Sequence, residues 1–134
     1  MKYLLDAETV IAAVKGRLPV VLRLGQLKPD DVAVSVISRL EVEAALRSQA
    51  QRNNQHGVLL KSWFDTVRLL DFDAACTQQA GALSAYLHQA KSPLPPFELL
   101  IAATAMARQL VLVSPRKTLF NQVPQLDCEN WMVA

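Results

Sequence analysis

The chain is predicted to be an α/β domain: a mostly parallel central sheet of about five strands with helices on both faces, in a single domain over residues 1–134. Three observations predict it. Short apolar runs alternate with stretches of helical spacing along the whole sequence. A hydrophobic fraction of 51% with only 6% aromatics builds the core from Ala, Leu and Val, which suits helices packed on a buried sheet. No repeat, linker or low-complexity segment interrupts the pattern.

The elements follow in order. Lys2–Asp6 (KYLLD) is an apolar run ending in an acid, a buried first strand. Glu8–Val14 has helical spacing and stops near Gly16. Pro19–Leu27 places Val20, Val21, Leu24 and Leu27 as a second helix before Pro29. Val32–Val36 is a second buried strand. Ser38–Arg52 is a long helix, broken at Asn53, Asn54 and Gly57. Val58–Asp65 is a further helix and Val67–Leu70 a short strand. Asp73 caps a helix to about Lys91. Ser92–Pro96 (SPLPP) is a rigid turn, and Pro96 starts an apolar helix to about Arg108. Val111–Ser114 is the fourth strand, and Trp131–Val133 a fifth at the sheet edge.

Composition excludes several classes. The formal charge of +2 neither proves nor excludes a local basic groove. Cys76 and Cys128 lack metal-ligand spacing and read as two free thiols of a reducing cytoplasm. The first 14 residues contain Asp6 and Glu8 and lack the order of a signal peptide. No apolar run approaches the roughly 18–20 residues of a membrane span. A P-loop, a GxGxxG and a G-x-S-x-G are all missing, so nucleotide cofactors and a serine nucleophile are not expected. His56 and His88 have no spaced partners and are expected at the surface.

Four carboxylates fall at element junctions. Asp6 ends the first strand and Glu8 follows two residues on. Glu41 is expected in the first turn after the second strand, and Glu98 in the first turn of the Pro96 helix. In a parallel sheet these meet at the carboxyl edge, where ligands bind. Gathered carboxylates repel one another, and a hard cation such as Mg²⁺ or Mn²⁺ relieves this. Such a site suits phosphodiester hydrolysis. Each acid also has a local reading. Asp6 can cap the helix after it, Ser38-x-x-Glu41 matches a capping box, and Glu8 and Glu98 suit helix N-termini. Capping and metal binding coexist readily in one residue.

LLDAETVIAA (Leu4–Ala13), VSVISRLEVEAAL (Val34–Leu46), PLPPFELLIAATAMARQLVLVS (Pro93–Ser114) and VPQLDCENW (Val123–Trp131) occur in the order of PIN-domain proteins. The set resembles the VapC-type toxins of toxin–antitoxin pairs. The resemblance implies a five-stranded parallel sheet and a Mg²⁺- or Mn²⁺-dependent ribonuclease acting on RNA. It also implies a homodimer and a cognate antitoxin that blocks the site. Asp6, Glu41 and Glu98 would hold the metal, and Ser114, in place of the family's threonine, would support the site through a hydrogen bond.

Three departures stand out. Ala7-Glu8 replaces the family's threonine-asparagine. Glu98 replaces an aspartate, and its extra methylene moves the carboxylate by about 1.5 Å; a shift of about 1 Å can cost on the order of 100-fold in rate. Arg116 stands where the family has a fourth acid or an asparagine, so it either competes with a metal or pairs with a carboxylate. Glu8 is a candidate replacement for that acid. Arg39, Arg116 and Lys117, with Arg47 and Arg52, are candidates for a basic rim that holds RNA. The alternative is a degenerate PIN-fold protein that binds RNA or a protein partner without cleaving. Helices Pro19–Leu27 and Ser38–Arg52 are the expected partner surfaces, and Leu99–Met106 is expected in the core.

Overall fold

The computed structural model describes residues 1–48 and 53–133, without the side chains of residues 53–56. The elements run β1 (Tyr3–Leu5), α1 (Ala7–Val14), α2 (Leu18–Gly25), β2 (Val32–Ser35), α3 (Val36–Ser48), α4 (Asn53–Phe64), β3 (Arg68–Leu70), α5 (Ala74–Gln89), α6 (Pro96–Arg108), β4 (Val111–Val113), α7 (Lys117–Phe120) and β5 (Cys128–Glu129). The five strands form one sheet in the order β3-β2-β1-β4-β5. Every pairing is parallel; Leu5, for example, stands opposite both Val34 and Val113.

Side chains alternate across the strands and divide the core in two. Leu4, Ala33 and Leu112 point to the face covered by α5 and α6, where Leu83, Leu87, Ile101 and Ala102 meet them. Leu5, Val34 and Val113 point to the other face, where Val10, Val20, Val42, Leu60 and Phe64 meet them. Helices cover both faces, as a sheet of continuous apolar strands requires. The apolar helix α6 is core, with Ile101, Ala102, Ala103 and Ala105 all buried.

The chain builds outward from β1 to β2 and β3, then returns to β1's other side with β4 and β5. The order reverses between β1 and β4. The crevice beyond the carboxyl ends of those two strands is therefore the expected ligand position.

Three expectations need correction. The helix after β2 starts at Val36, not Ser38, because Ser35 Oγ accepts from Ser38 N at 3.0 Å and caps it directly off the strand. Ser38 is thus no capping residue, and Glu41 is in the second turn of α3, not the first. Asn53–Gly57 do not break the helical pattern; α4 runs from Asn53 to Phe64 through Gly57. Burial of Leu60 and Phe64 against the core overrides the weak propensity of glycine. The fifth strand is Cys128–Glu129, pairing with Leu112 and Val113, rather than Trp131–Val133. Trp131 is apolar because its side chain is buried on the core, edge to face with Tyr3 at 5.1 Å, not because its backbone joins the sheet. The expected helix end at Arg52 and the side chain of His56 lie outside the described residues.

Candidate active site

Asp6 leaves β1 directly into α1. Its backbone N donates to Val113 O at 3.0 Å, and its Oδ1 accepts from Thr9 N at 2.9 Å. It is both the cap of α1 and a carboxylate at the β1–β4 crevice, only 7% exposed. Thr9, fully buried, donates from Oγ1 to Val113 O at 3.3 Å and ties the start of α1 to the end of β4. Sequence reasoning missed Thr9; the Asp6-x-x-Thr9 spacing was its only signal.

Ser114 follows β4 and is fully buried, its N donating to Glu129 O of β5 at 2.9 Å. Its Oγ accepts from Arg116 N at 3.1 Å. Glu41 comes from α3, Glu98 from the third residue of α6, and Arg116 from the residue before α7. Asp6, Glu8, Glu41, Glu98 and Arg116 line one small pocket with Ala7, Ile101 and Phe120. Its free volume is about 20 Å³, room for roughly one water. All four predicted acids therefore gather in one place, from three distant segments of chain.

Arg116 is the cation in this pocket. Its Nε donates to Glu8 Oε1 and its Nη1 to Glu98 Oε1, both at 2.7 Å. These are short, charge-assisted bonds. The Glu8 end is about half exposed, whereas the Glu98 side chain is only 14% exposed.

The electrostatics divide the acids. Burial raises the carboxyl of Asp6 above its ordinary value, although hydrogen bonds from Ser114 and Thr9 pull it back. Burial also raises Glu41, helped by the negative charges of Glu98 and Asp6. Burial opposes the charge on Arg116, but Glu8 and Glu98 outweigh it and hold the guanidinium above its usual value. Asp6 and Glu41 form no ion pair among the described residues, so Arg116 compensates their charge only from a distance.

Their oxygens are the donor type that a hard divalent ion accepts. As the side chains stand, no three His, Cys, Asp or Glu among the described residues are placed to share one ion. The donor chemistry and the common pocket fit a divalent cation, and the arm of Glu98 that would complete the set is held by Arg116.

The other predicted residues are placed elsewhere. Arg39 lies 4.9 Å over the Phe64 ring and 3.7 Å from Glu43, turned toward α4. Arg47 bonds Glu43 at 2.9 Å. Lys117 lines a separate, wider groove of about 540 Å³ with Leu18, Leu22, Arg23 and Trp131. That groove lacks gathered acids, so its size does not make it the reaction centre. His88 is exposed in the last turn of α5. Cys76 and Cys128 are free, and burial with the nearby charge of Asp6 pushes the Cys128 thiol up to about 11. It stays protonated and is no nucleophile at neutral pH. Among the described residues no helix is long and apolar enough to cross a membrane.

Residues 3–124 match the PIN domain family. A tRNA(fMet)-specific endonuclease VapC of Shigella flexneri is 26% identical over 132 residues, covering 98% of each chain. Ribonuclease VapC2 of Rickettsia felis is 30% identical over 104 residues, covering 78% of this chain and 77% of its own. The crystal structure of VapBC2 from Rickettsia felis, bound to a DNA fragment from its promoter, superposes with a TM-score of 0.88 at 28% identity, covering 98% of this chain and 99% of that one. The family match spans all four acids and Arg116, and with these relatives it shows that the chain belongs to the PIN-domain family.

Proposed function

We propose that the protein is a toxin-type endoribonuclease that hydrolyses RNA phosphodiester bonds with a divalent cation, Mg²⁺ or Mn²⁺, held by Asp6, Glu41 and Glu98. The observation that carries this reading is the convergence of those three acids, from β1, α3 and α6, on one pocket at the β1–β4 switch point. A bound divalent ion supplies a polarised water and positive charge for the phosphoryl oxygens. The chain's own groups prepare the place. Thr9 N holds the Asp6 carboxylate by a hydrogen bond, and Ser114 favours its charged form. The buried Ser114 also fixes the backbone from which Arg116 enters the pocket. Lys117, which lines the neighbouring groove, would meet the RNA backbone in this reading.

The relatives named as endonuclease and ribonuclease support the reaction class, and the VapBC complexes support a cognate antitoxin. An RNA substrate and an antitoxin partner put the protein in the cytoplasm. Homodimerisation and antitoxin docking fall to α2 and α3, which leave Leu18, Val21, Leu22 and Leu40 exposed.

One observation favours a second reading, a PIN-fold protein that binds without cutting: Arg116 already neutralises Glu98 and Glu8. The test is cleavage of a mixed structured RNA by the purified chain with Mn²⁺, with Mg²⁺ and with EDTA, beside Asp6→Asn. Metal-dependent cleavage that the variant loses establishes the nuclease. Cleavage no faster than the variant, with RNA still bound, establishes the binding protein.

A further inference from the structure

We propose that Arg116 is a built-in counter-ion that a divalent cation must displace before Asp6, Glu41 and Glu98 can share it, so that this one side chain sets the metal affinity of the site. The inference rests on the metal-dependent reading above and adds a control element to it.

The geometry supplies the reason. Arg116 spends both edges of its guanidinium on carboxylates, at 2.7 Å each. Its backbone N is anchored on Ser114 Oγ at 3.1 Å, so the side chain starts from a fixed point beside Asp6. Glu98, 14% exposed, is screened from solvent, and Arg116 is its ion-pair partner among the described residues. With the guanidinium inward, about 20 Å³ remains free. A divalent cation bonds carboxylate oxygens directly, and the Glu98 oxygen it would take is the one that Arg116 holds. A divalent charge and a guanidinium in the same pocket also repel each other. The two occupancies are therefore exclusive, and the observed affinity is the intrinsic one scaled by the fraction of molecules with Arg116 turned out. The way out is open: Arg116 is 51% exposed and Glu8 47%. Exposed pairs hold weakly, so Glu8 is a loose outer catch and Glu98 the contact that must be exchanged.

The experiment is a titration of the full-length chain with Mn²⁺ alone, by calorimetry and by thermal shift. The variants are Arg116→Gln, Arg116→Lys and Glu8→Gln, with circular dichroism confirming that each is folded. Arg116→Gln is expected to bind Mn²⁺ about tenfold tighter or more. Arg116→Lys falls between, since a lysine cannot span both acids with a rigid fork. Glu8→Gln tightens binding by a smaller factor, and it carries the test if Arg116→Gln does not fold. Wild type and Arg116→Gln agreeing within about twofold overturns the proposal while leaving the metal-dependent reading intact. Weaker Mn²⁺ binding in Glu8→Gln also overturns it, by making Glu8 a ligand rather than a catch. If no form of the protein binds Mn²⁺, the metal-dependent reading itself falls, and the counter-ion proposal with it.

Discussion

Asp6 has two jobs that a pair of substitutions separates. As a cap, it offers one oxygen to Thr9 N at 2.9 Å; as a site acid, it offers its charge. Asp6→Asn keeps an oxygen for Thr9 N and removes the charge. Asp6→Ala removes both. Loss of an N-cap costs about 0.5–2 kcal/mol. For a chain of 134 residues, about 1 kcal/mol moves the melting temperature by about 3–4 °C. Without metal, Asp6→Ala is therefore expected to melt about 2–7 °C below wild type. Asp6→Asn is expected to match or exceed wild type, because the charged form is the one that burial disfavours. The sign of the pH dependence follows. The folded carboxyl titrates above its unfolded value of 3.8, so this group favours the fold below that value. Its contribution is lost as pH rises through the raised folded pKa. The wild-type minus Asp6→Asn difference in melting temperature should thus fall as pH rises from about 4 toward neutrality. Both variants should lose RNA cleavage by at least about 100-fold, which is about 3 kcal/mol of transition-state stabilisation. Differential scanning fluorimetry across pH, with a cleavage assay on the same preparations, checks all of this. An Asp6→Asn protein as unstable as Asp6→Ala would refute the division of roles, and one that cuts RNA like wild type would refute the site.

Three further outcomes are expected. Ser35→Ala removes the oxygen that caps α3 through Ser38 N, so chemical denaturation should show a loss of about 1 kcal/mol. Lys117→Ala should lower the slope of log affinity for RNA against log salt by about 1, whereas Arg39→Ala, engaged with Phe64 and Glu43, should leave it unchanged; filter binding at several salt concentrations distinguishes them. Leu112→Ala, at a fully buried position of β4, should cost about 2–5 kcal/mol, read from the urea midpoint.

Much of this was legible in the residues because the strongest signals were local. Pro96 set the start of α6 and so the depth of Glu98. Asp73 caps α5, its Oδ1 accepting from Cys76 N at 3.0 Å. The run KYLLD put Asp6 at a strand end. The misreadings share a physical cause, which is that one signal served two purposes. Ser38 with Glu41 looks like a capping box, but Ser35, the last residue of β2, already caps α3 by accepting from Ser38 N, which puts Ser38 inside the helix. Trp131 looks like strand because it is apolar, yet burial and backbone pairing are separate properties, and Cys128 and Glu129 do the pairing. Neither the bond from Thr9 Oγ1 to Val113 O nor the Arg23–Glu129 contact at 3.2 Å could be read from spacing, because their partners are more than a hundred residues away. The resemblance to PIN domains supplied the long-range order that local patterns lack, and it also made Arg116 conspicuous as a departure.

The bond between Glu8 and Arg116 closes a loop of 108 residues, and β1 finds β4 only across a similar span. A ribosome adding about 5–20 residues per second needs roughly 5–20 s to cross that distance. Until it is crossed, the nascent chain carries Asp6 and Glu8, and then Glu41, without the complete pocket for them to share, and its central strand lacks β4 as a neighbour. The complete pocket therefore forms late, as the last strands leave the ribosome. A co-translated inhibitor has that same interval in which to be ready.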